Sequence, residues 1–146
     1  PHAQQARIKL GIEPLHPMYA DDRSAIVTLR QASDIVEAFN SKQLGVVYDI
    51  YHLWWDPDLE TETKRCGNHS NLFAFHICDW KTPTEDILLD RGLMGEGCID
   101  IKHLRNLVET NGFTGFHEVE IFSKKYWAED QAEFLKKIIE AYLKHS

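Results

Sequence analysis

The sequence predicts an α/β fold: a (βα)4 array of four parallel strands, each followed by a helix. Three observations carry this. Apolar runs at residues 7–15, 43–50, 72–78 and 116–122 have the length and bulk of buried strands. Segments with apolar residues at helical spacing follow each run. No low-complexity stretch or linker breaks the alternation, so residues 1–146 read as one domain or part of one. Such alternation implies a parallel sheet with right-handed crossovers.

The first strand, RIKLGIEPL, ends in a proline-containing loop. Thr28 with Gln31 three residues on reads as a capping box, and Leu29, Ala32, Ile35, Val36 and Phe39 follow at helical spacing. After the second strand, Asp56 reads as an N-cap with Pro57 at the first helical position. Lys64 and Arg65 fall in that helix's last turn, and Gly67 is its stop. A long loop, 79–98, follows the third strand and contains Gly92, Gly95 and Gly97. Gly95-Glu96-Gly97 is too short for a phosphate cradle and reads as a turn. Asp100 caps a helix through Thr110 that stops at Asn111-Gly112. After the fourth strand, a helix from about Ala128 carries Phe134, Leu135, Ile138, Ile139 and Tyr142 on one face. A doubly wound open sheet and a barrel segment both fit this order.

Composition narrows the function. Hydrophobic residues at 43% and charged residues at 27% fit a packed domain and exclude a disordered chain. No apolar run approaches the ~20 residues of a membrane span, so no membrane partner is expected. The cysteines, Cys66, Cys78 and Cys98, are odd in number with no CxxC pair, which argues for a reducing, cytoplasmic setting without a disulfide framework. A formal charge of −7, with no Lys/Arg cluster longer than two, argues against a nucleic-acid partner. Pro1 is not an initiator residue, so a processed start or a longer parent chain is expected.

Each strand ends in ionisable groups: Glu13 with His16, Asp49 with His52, His76 with Asp79, and then Glu118 and Glu120. Buried charges cost several kcal/mol each unless they are paired or bind a metal. Parallel strands in a barrel bring their C-terminal ends to one face, where active sites sit. The coincidence across four strands points to Glu13, Asp49, His76 and Glu120 as ligands of one divalent ion. Three oxygens and one nitrogen favour Mn²⁺ or Mg²⁺ ahead of Zn²⁺ and Co²⁺. His16, His69, His103 and His145 read as structural.

The segments GIEPLHPMYADDRS, VVYDIYHLWWDPDL, FAFHICDW, LLDRGLMGEGCIDI and GFHEVEIFS together resemble the sugar phosphate isomerase/epimerase family of xylose-isomerase-like TIM barrels. That family includes ketose 3-epimerases and inosose-processing enzymes. The resemblance covers nearly the whole chain but matches the barrel's C-terminal half, with strands like the fifth to eighth. It implies that Glu13, Asp49, His76 and Glu120 hold the metal, that Glu13 and Glu120 carry protons on either side of the sugar, and that His52 contacts substrate. It places the fourth ligand at Glu120, which leaves Glu118 one layer deeper as a buried carboxylate needing a partner.

Trp54, Trp55 and Trp80 follow the strand ends. They read either as walls against the C–H faces of a sugar or as loop packing. The family's ketose epimerases have a substrate arginine shortly after the third-motif histidine, where this chain reads 79–83 with none. Arg91 is the replacement candidate, for a phosphate or a hydroxyl.

The expected activity is proton transfer next to a carbonyl of a sugar, sugar phosphate or inosose. Dehydration of a keto-inositol is the related alternative, with His52 as acid. Barrel-type apurinic-site endonucleases share the fold, but the histidine of their Asp-Arg-His is replaced in Asp90-Arg91-Gly92. A non-catalytic half-barrel is the remaining alternative. Half a barrel leaves two open edges, so pairing with a second copy or with an N-terminal half-barrel is expected.

Overall fold

The computed structural model describes all 146 residues. Strands β1 (Leu10–Ile12), β2 (Leu44–Asp49), β3 (Leu72–Ile77) and β4 (His117–Val119) form a single parallel sheet in the order β1-β2-β3-β4. Spatial order follows chain order with no reversal. That is the arrangement of a barrel segment, not of a doubly wound sheet, which reverses at a switch point. The helices are α1 (His2–Ala6), α2 (Leu29–Phe39), α3 (Ile50–Leu53), α4 (Leu59–Asn68), α5 (Ile101–Thr110), α6 (Lys124–Trp127) and α7 (Gln131–His145). None is long and apolar enough to cross a membrane.

The α2 capping box forms as expected: Thr28 Oγ1 accepts from Gln31 N–H at 3.3 Å, and Gln31 Oε1 accepts from Thr28 N–H at 3.2 Å. Asp56 does not cap the helix that follows it. Its carboxylate accepts from Leu29 N–H at 3.0 Å, the first amide of α2, and from Asp58 N–H at 3.0 Å. The α4 N-cap is Asp58, whose carboxylate pairs with Arg30 at 2.7 Å and makes no capping bond to the helix. Asp56 thus satisfies an orphan amide of a neighbouring helix, a long-range use that local spacing does not reveal. Gly67 lies within α4, where a Cβ would stand 2.2 Å from Asn111 O, so it permits close approach to the end of α5 instead of stopping the helix. The left-handed residue after α4 is Ser70 (φ 56). Asp100 caps α5 as expected, accepting from His103 N–H.

β4 is shorter than the apolar run predicts. Glu120 N–H still reaches Ile77 O at 3.1 Å, but Phe122 O is taken by Arg91 N–H at 3.0 Å, so the chain leaves β3 for the long loop. Ser123 then caps α6, and Asp130 caps α7 three residues beyond the expected start, near Ala128. On α7, Phe134 is buried and Ile138 and Tyr142 are half-buried, while Leu135 and Ile139 are exposed. The expected single apolar face is therefore two faces.

The main core lies between the outer sheet face and α2, α4 and α5, built from Leu29, Val36, Val46, Tyr48, Phe75, Ile77, Leu104 and Val108. Both sheet edges are open, and apolar side chains stand exposed beside them: Leu10 and Phe39 at the β1 edge, and Phe116 and Leu143 at the other.

Candidate metal centre

Asp49 is the last residue of β2 and the N-cap of α3. Its Oδ1 accepts from Tyr51 N–H at 2.8 Å, which leaves Oδ2 to point into the site. His76 is the penultimate residue of β3. Glu13 and Glu120 each lie one residue beyond their strands, β1 and β4. One ligand-type atom from each of the four residues falls within 4.8 Å of the others. His76 Nδ1 stands 3.4 Å from Glu13 Oε1, 3.9 Å from Asp49 Oδ2 and 4.0 Å from Glu120 Oε2.

That nitrogen is buried and makes no hydrogen bond. Around this nitrogen three carboxylates converge, the nearest oxygen at 3.4 Å and the others at 3.9 and 4.0 Å, and gathering that much negative charge is costly unless a cation sits among them. These residues fit a divalent ion, which would take the Nδ1 lone pair and relieve the repulsion among the carboxylates.

The electrostatics point the same way. Burial pushes the Asp49 carboxyl up to about 7, against the pull of Arg91 and helped by the nearby charges of Glu13 and Glu120. Burial also pushes Glu13 up, but His76, His52 and Arg91 outweigh it and hold Glu13 below the usual carboxylate range. The Glu13 carboxylate raises the His76 pKa in turn. Burial and then Arg91 drive His52 down to about 3, so its ring is neutral near pH 7.

The two His52 ring nitrogens meet competing demands. Nδ1 accepts from His16 N–H at 3.2 Å, while Nε2 lies 3.8 Å from Asp49 Oδ2 and also faces the guanidinium of Arg91, which can only donate.

Arg91 is 3% exposed. Its Nη1 donates to Glu120 Oε2 at 2.7 Å and to Asp49 Oδ2 at 3.4 Å, and its Nη2 lies 3.3 Å from His52 Nε2. The guanidinium lies over the rings of Tyr51 at 4.3 Å and Phe122 at 4.9 Å. Its fork is turned onto the carboxylates and not to open space. Tyr51 and Phe122 carry no charge and so stand outside the pattern of ionisable pairs, although Tyr51 sits between Asp49 and His52 in the chain.

The four expected ligands converge, but their i, i+3 companions mostly do not. His16 stacks on Trp80 (centroids 4.8 Å apart), and its Nδ1 accepts from Met18 N–H. Asp79 turns away to accept four backbone N–H bonds, from Trp80, Gly95, Gly97 and Ile99, at 2.8–3.0 Å. The amides of the Gly95-Glu96-Gly97 turn are thus occupied from within. Three residues beyond an inward-facing strand position the chain has entered a loop, and alternation no longer fixes direction.

Trp80 lies on Tyr51, and Trp54 on Trp80 and the main core, while Trp55 Nε1 donates to His52 O at 2.8 Å. Glu118 faces the same side as Glu120, but its side chain is 69% exposed and not buried, because nothing covers the inner face of an open sheet.

The profile of the xylose isomerase-like TIM barrel family matches residues 1–138. The chain belongs to this family. Members similar to it include the inosose isomerases of Bacillus velezensis, 32% identical over 78% of this chain and 42% of the relative, and of Bacillus subtilis, 30% identical over 92% and 49%. Among solved structures, protein SMc04130 from Sinorhizobium meliloti is 49% identical, with a TM-score of 0.95 over 99% of this chain and 53% of that one. The IOLI protein with a binding zinc atom shares the fold at 23% identity and a TM-score of 0.81, over 97% of this chain and 50% of that one. The chain spans about half the length of these relatives, and within the family's barrel it accounts for four of eight strands.

Proposed function

We propose that this chain is the metal-holding half of a divalent-metal-dependent isomerase or epimerase acting on a sugar, sugar phosphate or inosose. The observation that carries this reading is the meeting of Glu13, Asp49, His76 and Glu120 around a buried imidazole nitrogen that makes no hydrogen bond. The naming of similar proteins as inosose isomerases supports the substrate class. Three oxygens and one nitrogen favour Mn²⁺ or Mg²⁺, with Co²⁺ and the Zn²⁺ of the IOLI protein as alternatives.

When bound, the ion supplies Lewis-acid stabilisation of negative charge beside a carbonyl. The chain's own residues do the rest. Glu13 enters from the β1 edge and Glu120 from the β4 edge, with Asp49 and His76 between them, so the two glutamates flank the centre. One takes the proton from the carbon next to the carbonyl and the other returns it on the opposite face. Positioned carboxylates of this kind contribute ~10²–10⁴-fold. His52, neutral near pH 7 and set beside Asp49 and Arg91, is the substrate contact. A neutral ring is a poor acid for a departing hydroxyl, which favours proton transfer over dehydration. Arg91 holds Glu120 and Asp49 in place, and Trp54 and Trp80 back the wall through Tyr51.

The test is solvent exchange. With Mn²⁺ in D₂O, a panel of ketoses and inososes is expected to gain one deuterium at the carbon beside the carbonyl, and Glu120→Gln is expected to lose at least ~10²-fold in rate. Metal-loaded chain that exchanges none of them would overturn the reading.

A further inference from the structure

Glu118 has no part in the reading above, yet β-sheet register places it beside His76. The two are direct partners across the β3–β4 ladder, and Glu118 shares a face with Glu120 two residues on. His76 has two ring nitrogens with different surroundings. Nδ1 faces Glu13, Asp49 and Glu120. Nε2 points the other way, 3.8 Å from Glu118 Oε2. A histidine that gives one nitrogen to a metal carries its proton on the other, and that N–H needs an acceptor to fix the tautomer and the ring. Glu118 is the carboxylate within reach. Its exposed side chain needs a shift of under 1 Å to bring 3.8 Å into hydrogen-bond range.

We infer that Glu118 is a positioning residue: it accepts the Nε2–H of His76 and so keeps the Nδ1 lone pair turned toward Glu13, Asp49 and Glu120. The inference rests on the metal-centre reading. It assigns the two carboxylates of HEVE separate tasks, Glu120 on the ion and Glu118 on the ligand's far side.

Co²⁺ titration followed by visible absorption tests it, using the parent chain, Glu118→Val, Glu118→Gln and Glu120→Gln. Glu118→Val is expected to bind Co²⁺ roughly 10–100-fold more weakly with an altered d–d band. Glu118→Gln, whose amide oxygen still accepts, is expected to recover most of that loss. The melting temperature of the metal-free chain should be the same for both, since the side chain is exposed; an equal loss of stability would make the role merely structural and overturn the inference. Parent-like affinity in Glu118→Val overturns it alone. Binding kept in Glu120→Gln but abolished in Glu118→Gln makes Glu118 itself the ligand and also overturns it. A parent chain that binds no Co²⁺ removes the metal-centre reading and this inference together.

Discussion

Asp49 sits fully buried at the end of β2, with one oxygen on Tyr51 N–H and the other 3.4 Å from Arg91. Its pKa rises from 3.8 to about 7, so the folded chain holds this proton more tightly than the unfolded chain does. The stabilisation is fully present below about pH 4 and is lost as pH rises through about 7. Asn keeps an acceptor for Tyr51 N–H but cannot ionise. Asp49→Asn is therefore expected to stabilise the metal-free chain by roughly 1–3 kcal/mol at pH 8 and to change it little at pH 4. Denaturant unfolding at the two pH values reads this directly. Destabilisation at pH 8 would mean that the Arg91 pairing outweighs burial. At this scale the clustering of Glu13, Asp49, His76 and Glu120 was legible in the sequence, because each lies at or within one residue of a strand end. The company each one keeps was not: Tyr51 over Arg91, and the His16 amide on His52, depend on loops folding back.

The loop between β3 and α5 shows the same division. Its glycines announced turns, but nothing local announced that Asp79 organises them. Four amides converge on that one carboxylate, and Gly97 is close enough that a Cβ would stand 2.1 Å from Trp80 O. The antiparallel bridge from Asp79 to Gly92 then sets the residue next to Arg91. Asp79→Ala strands buried amides at a cost of about 1–3 kcal/mol for each that water cannot reach. A total loss of at least about 3 kcal/mol is expected, together with early proteolytic cleavage between residues 92 and 99. Unchanged stability and protease resistance would show that the loop holds without its bracket. Strand and helix order was legible because alternating apolar runs need only local sequence. The start of α4, the shortness of β4 and the extra turn of α6 were not, since each is decided by a distant partner: Asp56 on α2, Arg91 on Phe122, and Asp90 bridging Ser123.

The whole molecule is a four-stranded arc with its site on the inner rim and unpaired strands at both ends. The β1 edge carries Leu10 and Phe39 in the open, and the far side carries Phe116, Leu135, Ile139 and Leu143. Surfaces of this kind bury themselves against a partner, and an open edge strand invites pairing. We propose that the partner is a further half-barrel, as relatives of about twice this length would accommodate, or a second copy of this chain. The measurement that tests the centre most directly is native mass spectrometry after dialysis against trace Mn²⁺, run on the parent chain and on His76→Ala. The expected spectrum is a dimer with one divalent ion per chain, and His76→Ala without the ion. Metal-free parent chain, or an ion retained equally by His76→Ala, would contradict the assignment of Glu13, Asp49, His76 and Glu120 as a metal centre.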